Sequence, residues 1–417
     1  MSDNNQKIHV VFVNHTAQLG GGEIALRNLL ERLDPASFEV SVVLCAEGPL
    51  VEQIEKRHRV RVIPMSSRIG EARKASIGWK SFLKLRDVVS ALRYTWRLSR
   101  SIRRLRAQLV HTNSLKSHIL GGIAGRLAGV PVIWHMRDRI APDYLPRSAV
   151  QLVKILSGLI PTFIIANSQA TLDTLLGETP EKNRKARSRV IHDGCEVPVS
   201  TSWPGPNQPL KIGLIGRISP WKGQHIFIEA AAMLRNEFPD VVFQIIGAPL
   251  FSEFEYESEV KRLTRELQLE SQVEFTGFLR DVQSAIHQLQ IVVHASTVAE
   301  PFGQVVIEGM ATGRPVIATN GGGIPEIVVD QVTGLLVPMN DARALADAMA
   351  SLLRNPEEAR AMGARGRRRV NDLFTIERSA KAVEQVYLDL LCPRSLRAGT
   401  AEAEPREAAL QARADYE

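Results

Sequence analysis

Cysteine is scarce and scattered. The 417 residues hold three, Cys45, Cys195 and Cys392, far apart and odd in number. They form neither a disulfide framework nor a metal-ligand spacing, so a reducing compartment is expected. Long apolar runs are also missing: none approaches the roughly eighteen residues of a spanning helix. The N-terminal MSDNNQK leads straight into an apolar strand, without the hydrophobic core of a signal peptide. The expectation is a cytoplasmic protein. What remains is ordinary globular material, 44% hydrophobic and 23% charged, long enough to fill more than one domain core.

The chain alternates strands with helices, which implies parallel, doubly wound sheets. Short apolar strands are expected at 9–14, 39–45, 59–65, 109–113, 130–136, 163–168 and 188–194, with helical stretches between most of them. PVSTSWPGPNQP (198–209) then reads as a linker. The pattern restarts at 210–217 and continues with strands at 241–247, 272–278, 291–296, 314–320 and 333–338. Two helices at about 356–372 and 376–391 close it. Two such domains make a central cleft, where ligands usually bind. The tail from Pro393, rich in Ala, Glu and Arg, is expected to be loosely ordered.

The most informative stretch is HASTVAEPFGQVVIEGMATG, His294 to Gly313. Glu300 sits in a loop at the carboxyl end of a strand, where α/β sheets bind ligands. Glu308 lies about a turn and a half into the helix that follows. The backbone N–H groups of Phe302, Gly303 and Gln304 would crown that helix start and favour a polar or anionic ligand. Elsewhere, GRISPWKGQ places Arg217 just past a strand and Lys222 just before a helix. Two cations near a helix start can hold a diphosphate and stabilise charge as it departs. A glycine-rich loop, Gly20, Gly21 and Gly22, opens the first helix without the G-x-G-x-x-G dinucleotide spacing.

EPFGQVVIEGMATGRPVIAT, followed by GGGIPEIV, resembles the donor-site signature of retaining nucleotide-sugar glycosyltransferases of family 4. The resemblance can be followed over most of residues 8–390. It implies the GT-B fold, two Rossmann-like domains facing a cleft: an acceptor-side domain at 1–200, a donor domain at 201–375, a helix at 376–392 crossing back, and a tail at 393–417. It implies a sugar nucleotide as donor and a glycan or lipid-linked acceptor. Residue by residue, it assigns Arg217 and Lys222 to the diphosphate, Glu300 to the sugar hydroxyls and Glu308 to the ribose. Gly20 to Gly22 would lie against the diphosphate, and Phe278 and Leu279 near the base. It also implies a cleft histidine, for which His135 is preferred over His111, with Arg137 and Asp138 orienting it or meeting the acceptor. Asp-x-Asp occurs nowhere, so no metal is expected; the two cations and the helix N-termini would take over that task. Other readings are a sugar-nucleotide epimerase, a sucrose- or glycogen-synthase-type transferase, and a sugar-nucleotide-binding protein without turnover.

Net charge is +7, unevenly spread. Twelve Lys or Arg lie between Arg68 and Arg106, against Glu71 and Asp87. Trp79, Phe82, Leu83, Leu85, Val88, Val89, Leu92 and Trp96 form a rough helical stripe beside them. A basic amphipathic helix with Trp reads as an element for an anionic membrane surface, which would make the protein peripheral at the inner face. The alternative is a stripe buried in the core. No nucleic-acid motif accompanies the charge, and nucleic acid is not an expected partner.

Overall fold

The computed structural model describes residues 7–65, 85–177, 185–199, 201–205, 209–250 and 253–391. The first sheet contains β1 (Ile8–Asn14), β2 (Phe38–Leu44), β3 (Arg59–Val62), β4 (Leu109–Thr112), β5 (Val132–Met136), β6 (Phe163–Ala166) and β7 (Ser188–Val190). Its order is β3-β2-β1-β4-β5-β6-β7. The second contains β8 (Lys211–Ile215), β9 (Val242–Ile246), β10 (Val273–Gly277), β11 (Ile291–His294), β12 (Val316–Thr319) and β13 (Leu335–Val337), in the order β10-β9-β8-β11-β12-β13. Every pairing is parallel, as strand–helix alternation requires. Each expected strand has its counterpart. The strand order reverses between β1 and β4 in the first sheet and between β8 and β11 in the second. Loops at the carboxyl ends of these strands are the usual ligand-binding position.

Each sheet is covered on both faces. Val10, Phe12, Leu109 and Ile133 point to one face of the first sheet, where the helices Gly21–Arg32 and Ile376–Leu391 pack. Val11, Val13, Val110 and Trp134 point to the other, under the helices Leu85–Arg104, Leu115–Ala128 and Arg147–Leu159. The alternation follows from the two-residue period of a strand. Ala380, Val383, Val386 and Tyr387 of the last helix belong to the core of the first domain, not the second. Arg32 joins Glu377 at 2.7 Å across the same contact, and Glu384 accepts from the Asp34 N–H at 2.6 Å.

Two local features add to the sequence reading. The linker is fastened down in its described part: Trp203 lies against the Arg314 and Arg360 guanidiniums at 5.0 and 5.4 Å. Arg314, fully buried, also donates to the Ser202 carbonyl at 2.6 Å. Cation–π contact and a charge-assisted hydrogen bond outweigh the freedom that Pro, Ser and Gly would allow. A short helix, Ile324–Ile327, also forms inside GGGIPEIV. The residues from Cys392 onward, and the basic stretch up to Lys84 with Trp79 and Phe82, lie outside the described residues.

Candidate active site

The site is built where the carboxyl end of β11 meets the turn after β8. Gly223 has φ +73°, and a Cβ there would stand 1.9 Å from the Ala295 carbonyl oxygen. Only glycine permits that approach. The Thr297 N–H donates to the Trp221 carbonyl at 2.9 Å and closes the seam. Lys222, at the end of the single turn Pro220–Lys222, is thereby set beside the Glu300 loop.

Glu300 is buried, and its Oε1 is the hub. Lys222 Nζ donates to it at 2.5 Å, His294 Nε2 lies 3.0 Å away, and the Ser296 hydroxyl donates to it as well. Burial opposes the Glu300 charge; Lys222, with His294, more than compensates and holds the carboxyl well below its ordinary range. Lys222 thus lies directly on the Glu300 carboxylate. Arg217 is paired with another carboxylate, Glu253, at 3.1 Å. Both cations lie by the Trp221 ring, Lys222 Nζ at 4.4 Å and the Arg217 guanidinium carbon at 5.3 Å from its centre. The expected cation pair is close together, and each member carries its own acid.

Gly303, at φ +133°, caps the helix Gln304–Ala311. The first N–H groups of this helix have no intrahelical partner and open beside Glu300. Phe302 is buried against Phe374 and His192, with ring centres at 6.1 and 5.8 Å, so its side chain is structural. Glu308, partly buried, accepts from Gln304 Nε2 at 3.1 Å. Burial pushes its pKa up to about 7, with the Gln304 bond and Arg27 pulling the other way.

The first domain contributes the helix Gly21–Arg32, opened by Gly20. Asn113 Nδ2 donates to the Gly22 carbonyl at 3.1 Å. Arg137 is drawn back from the surface by Asp193, which accepts from its Nε at 3.0 Å and lies 2.9 Å from its Nη2; Arg137 also reaches Asn113. Asp138 accepts from the Tyr144 hydroxyl at 2.9 Å.

His111 and His135, weighed as rivals, form one chain. His111 Nε2 and His135 Nδ1 are 3.1 Å apart, and the Tyr387 hydroxyl meets His111 Nδ1 at 2.7 Å. Burial disfavours the charged form of both imidazoles and lowers their pKa well below the ordinary value. Neither ring has any solvent exposure. The cause is packing: Phe12 stacks on His111 at 4.5 Å and the last helix closes over it. Phe278 and Leu279 follow β10, the edge strand. Phe278 is exposed, and Leu279 is partly buried against the core cluster that includes Ile215 and Ile246.

Several functional candidates escaped the sequence reading. His294 and Ser296 stand in the quoted motif, but there they read only as strand. Glu326, from the GGGIPEIV loop, accepts from the Gln169 and Ala170 N–H groups at 2.8 and 2.9 Å and meets His192 at 3.0 Å. It therefore ties the second domain to a helix start of the first. Arg139 adds a bond to the Ala299 carbonyl at 3.0 Å. Among the described residues, no cluster of three or more His, Cys, Asp or Glu is placed to hold a metal ion.

Comparison with known proteins locates this arrangement. Residues 20–175 match the model of a glycosyl transferase 4-like domain, and residues 201–369 that of glycosyl transferases group 1. A D-inositol 3-phosphate glycosyltransferase of Corynebacterium urealyticum is 30% identical over 259 residues. That alignment takes in 58% of this chain and 59% of the relative, so the chain spans little more than half the relative's length. The UDP-Gal:alpha-D-GlcNAc-diphosphoundecaprenol alpha-1,3-galactosyltransferase of Escherichia coli is 24% identical over 411 residues, 94% of this chain and 99% of that one. Among solved structures, Anabaena Alr3699/HepE in complex with UDP and glucose superposes with a TM-score of 0.78 at 24% identity. That superposition covers 91% of this chain and 98% of the other, and the likeness is one of fold.

Proposed function

The chain belongs to the glycosyltransferases of GT-B fold, a glycosyl transferase 4-like domain joined to a group 1 domain, and from that premise we propose that it is a retaining enzyme moving a sugar from a nucleoside-diphosphate sugar to an acceptor hydroxyl. The observation that carries the reading is the Lys222 ammonium on the Glu300 carboxylate beside the opening of the helix Gln304–Ala311. An ammonium has three donors. Lys222 can keep Glu300 and still reach a diphosphate oxygen, so that acid and leaving group meet at one point. Arg217 and the helix N–H groups take up the rest of the charge that grows as the diphosphate leaves. Glu300 accepts from the sugar hydroxyls, and Glu308 from the ribose hydroxyls. The departing phosphate oxygen removes the acceptor proton on the same face of the sugar, which retains configuration without a protein nucleophile. Gly20 to Gly22 let the first domain approach the diphosphate. The reaction needs no metal in this account.

The test is release of nucleoside diphosphate. It is expected only when sugar nucleotide and acceptor are both present, and 1 mM EDTA is expected to leave the rate within about twofold, because fixed cations already supply the electrostatic stabilisation. Release that requires no acceptor, or a strict demand for a divalent ion, would overturn the reading.

The acceptor is proposed to be a lipid-linked or cell-envelope glycan met at an anionic membrane surface, and the helix Leu85–Arg104 supports this. Its core side takes Tyr94, Leu98 and Ile102. Its outer side still shows Leu92 at 65% and Trp96 at 56% exposure, among exposed Arg86, Arg93, Arg97, Arg100, Arg103 and Arg104. The stripe is therefore divided between the core and an exposed apolar pair set among basic residues. No helix among the described residues is long and apolar enough to cross a membrane. Each basic residue near an anionic leaflet contributes about 1 kcal/mol, screened by salt over roughly 8–10 Å. Co-sedimentation with anionic vesicles is expected at low salt, with loss at high salt and in Arg93→Gln/Arg97→Gln and Leu92→Ser/Trp96→Ser variants. Equal binding to neutral vesicles, or none at low salt, would contradict the proposal.

A further inference from the structure

The loop bearing Glu300 is gripped from two domains. On its own side, the Glu300 carbonyl accepts from the Gly323 N–H at 2.9 Å. Gly322 makes this possible: a Cβ there would stand 1.9 Å from the Glu300 carbonyl oxygen. The next carbonyl, Pro301, is bonded from the other domain. Ser168 Oγ donates to it at 2.5 Å and Thr171 Oγ1 at 3.1 Å. A carbonyl oxygen has two lone pairs, and the two hydroxyls fill them. Proline has no N–H, so this carbonyl is the residue's sole backbone polar group. Packing leaves little play: a Cβ on Gly323 would be 2.6 Å from the Pro301 oxygen and 3.0 Å from the Ser168 Cβ.

We propose that Ser168 and Thr171 of the first domain are positioning residues for Glu300. Resting on the reading of Glu300 as the acid that meets the transferred sugar, the proposal adds where its geometry is set. Glu326, bound to the Gln169 and Ala170 N–H groups at the same helix start, draws the domains together. The two hydroxyls then fix the Pro301 carbonyl, and through one peptide unit they aim Glu300. The sugar-binding acid reaches its working geometry when the acceptor-side domain is docked. Binding of free nucleoside diphosphate, which lacks the sugar, does not draw on this alignment.

The experiment compares Ser168→Ala/Thr171→Val with Thr171→Ser, which keeps both hydroxyls and adds no bulk, in the full chain. Transfer kcat is expected to fall about 10- to 100-fold in the double variant, the range seen when a reacting group is misplaced by an ångström or less. Affinity for free nucleoside diphosphate stays within about twofold, and Thr171→Ser keeps most of the activity. In a Glu300→Gln background the clamp substitutions are expected to add little, because both act through one group. Full additivity in that background would overturn the proposal, as would a folded double variant with near-normal kcat, or loss of diphosphate affinity in parallel with kcat. If the double variant does not fold, Thr171→Val alone is judged by the same readings, since it leaves the Ser168 helix cap in place. A Glu300→Gln enzyme with normal transfer would instead remove the underlying reading of Glu300.

Discussion

Lys222→Ala is expected to lower kcat by about 100- to 1000-fold, the usual loss when a preorganised charge at the leaving group is removed. The structure adds a second effect. Lys222 and Glu300 are 16% and 10% exposed along their side chains, and taking away one member of a buried pair strands the other. Glu300 would keep His294 and Ser296 but lose its principal counter-charge, and its carboxyl would titrate higher. Two consequences separate these effects. Stability near neutral pH should drop by roughly 3–5 kcal/mol, the cost of removing one partner of a buried ion pair. Lys222→Ala/Glu300→Gln should recover much of that stability and none of the activity. A folded Lys222→Ala enzyme with near-normal kcat would remove Lys222 from the chemistry. Equal instability of the single and double variants would remove the coupling. The sign of the pH effect follows from Glu300. Its folded carboxyl is held below the unfolded value, so its stabilising contribution is present above pH 4.5 and fades as pH falls towards the folded value.

Glu308→Ala should weaken binding of free nucleoside diphosphate about 10- to 100-fold, as loss of hydrogen bonds to a charged group implies. Glu300→Ala should change that affinity by less than about threefold, because the free diphosphate carries no sugar. Calorimetric titration distinguishes the two, and equal weakening would break the division of roles. Glu308 also predicts a pH dependence. Burial raises its pKa to about 7 in the folded, unliganded chain. A raised folded value favours folding most below the unfolded value of 4.5, and that contribution is lost as pH rises to about 7. The ionised form accepts from both ribose hydroxyls more strongly than the neutral acid does. Ligand-induced thermal stabilisation should therefore grow as pH climbs through 7 in the wild type and grow less in Glu308→Gln. The diphosphate's own titration is common to both proteins, so the difference reports Glu308. Parallel curves would exclude it.

The strands, their parallel pairing and the position of Glu300 at a strand end were legible because they rest on local patterns. IVVHAS is apolar and bounded, and EPFGQ breaks it before a helix. The partners of the charged residues were not legible. Lys222 and Glu300 are 78 positions apart, and two cations in one loop read equally well as free or paired. The turn at Gly223 decides it by packing against the Ala295 carbonyl and so setting Lys222 beside the Glu300 loop, and that depends on a left-handed φ. His111 and His135 looked like alternatives because each ends its own strand. Their joining depends on β4 and β5 being neighbours in register and on Tyr387, 276 residues downstream of His111. Ser168 and Thr171 did carry a signal: Ser-x-x-Thr before a helix is a cap pattern. What it did not disclose is that the same hydroxyls reach the other domain.

The docking of the helix Ile376–Leu391 also bears on how the chain comes off the ribosome. The first domain's apolar wall opposite Val10, Phe12 and Ile133 is finished by Ala380, Val383, Val386 and Tyr387. The rest of that wall has emerged once Ile191 is made. At about 5–20 residues per second, the last helix follows some ten to forty seconds later. The domain that is synthesised first is therefore the one that closes last. In that interval its open apolar face is a target for chaperones and a liability for aggregation, and premature termination anywhere in the second domain leaves the first one unsealed.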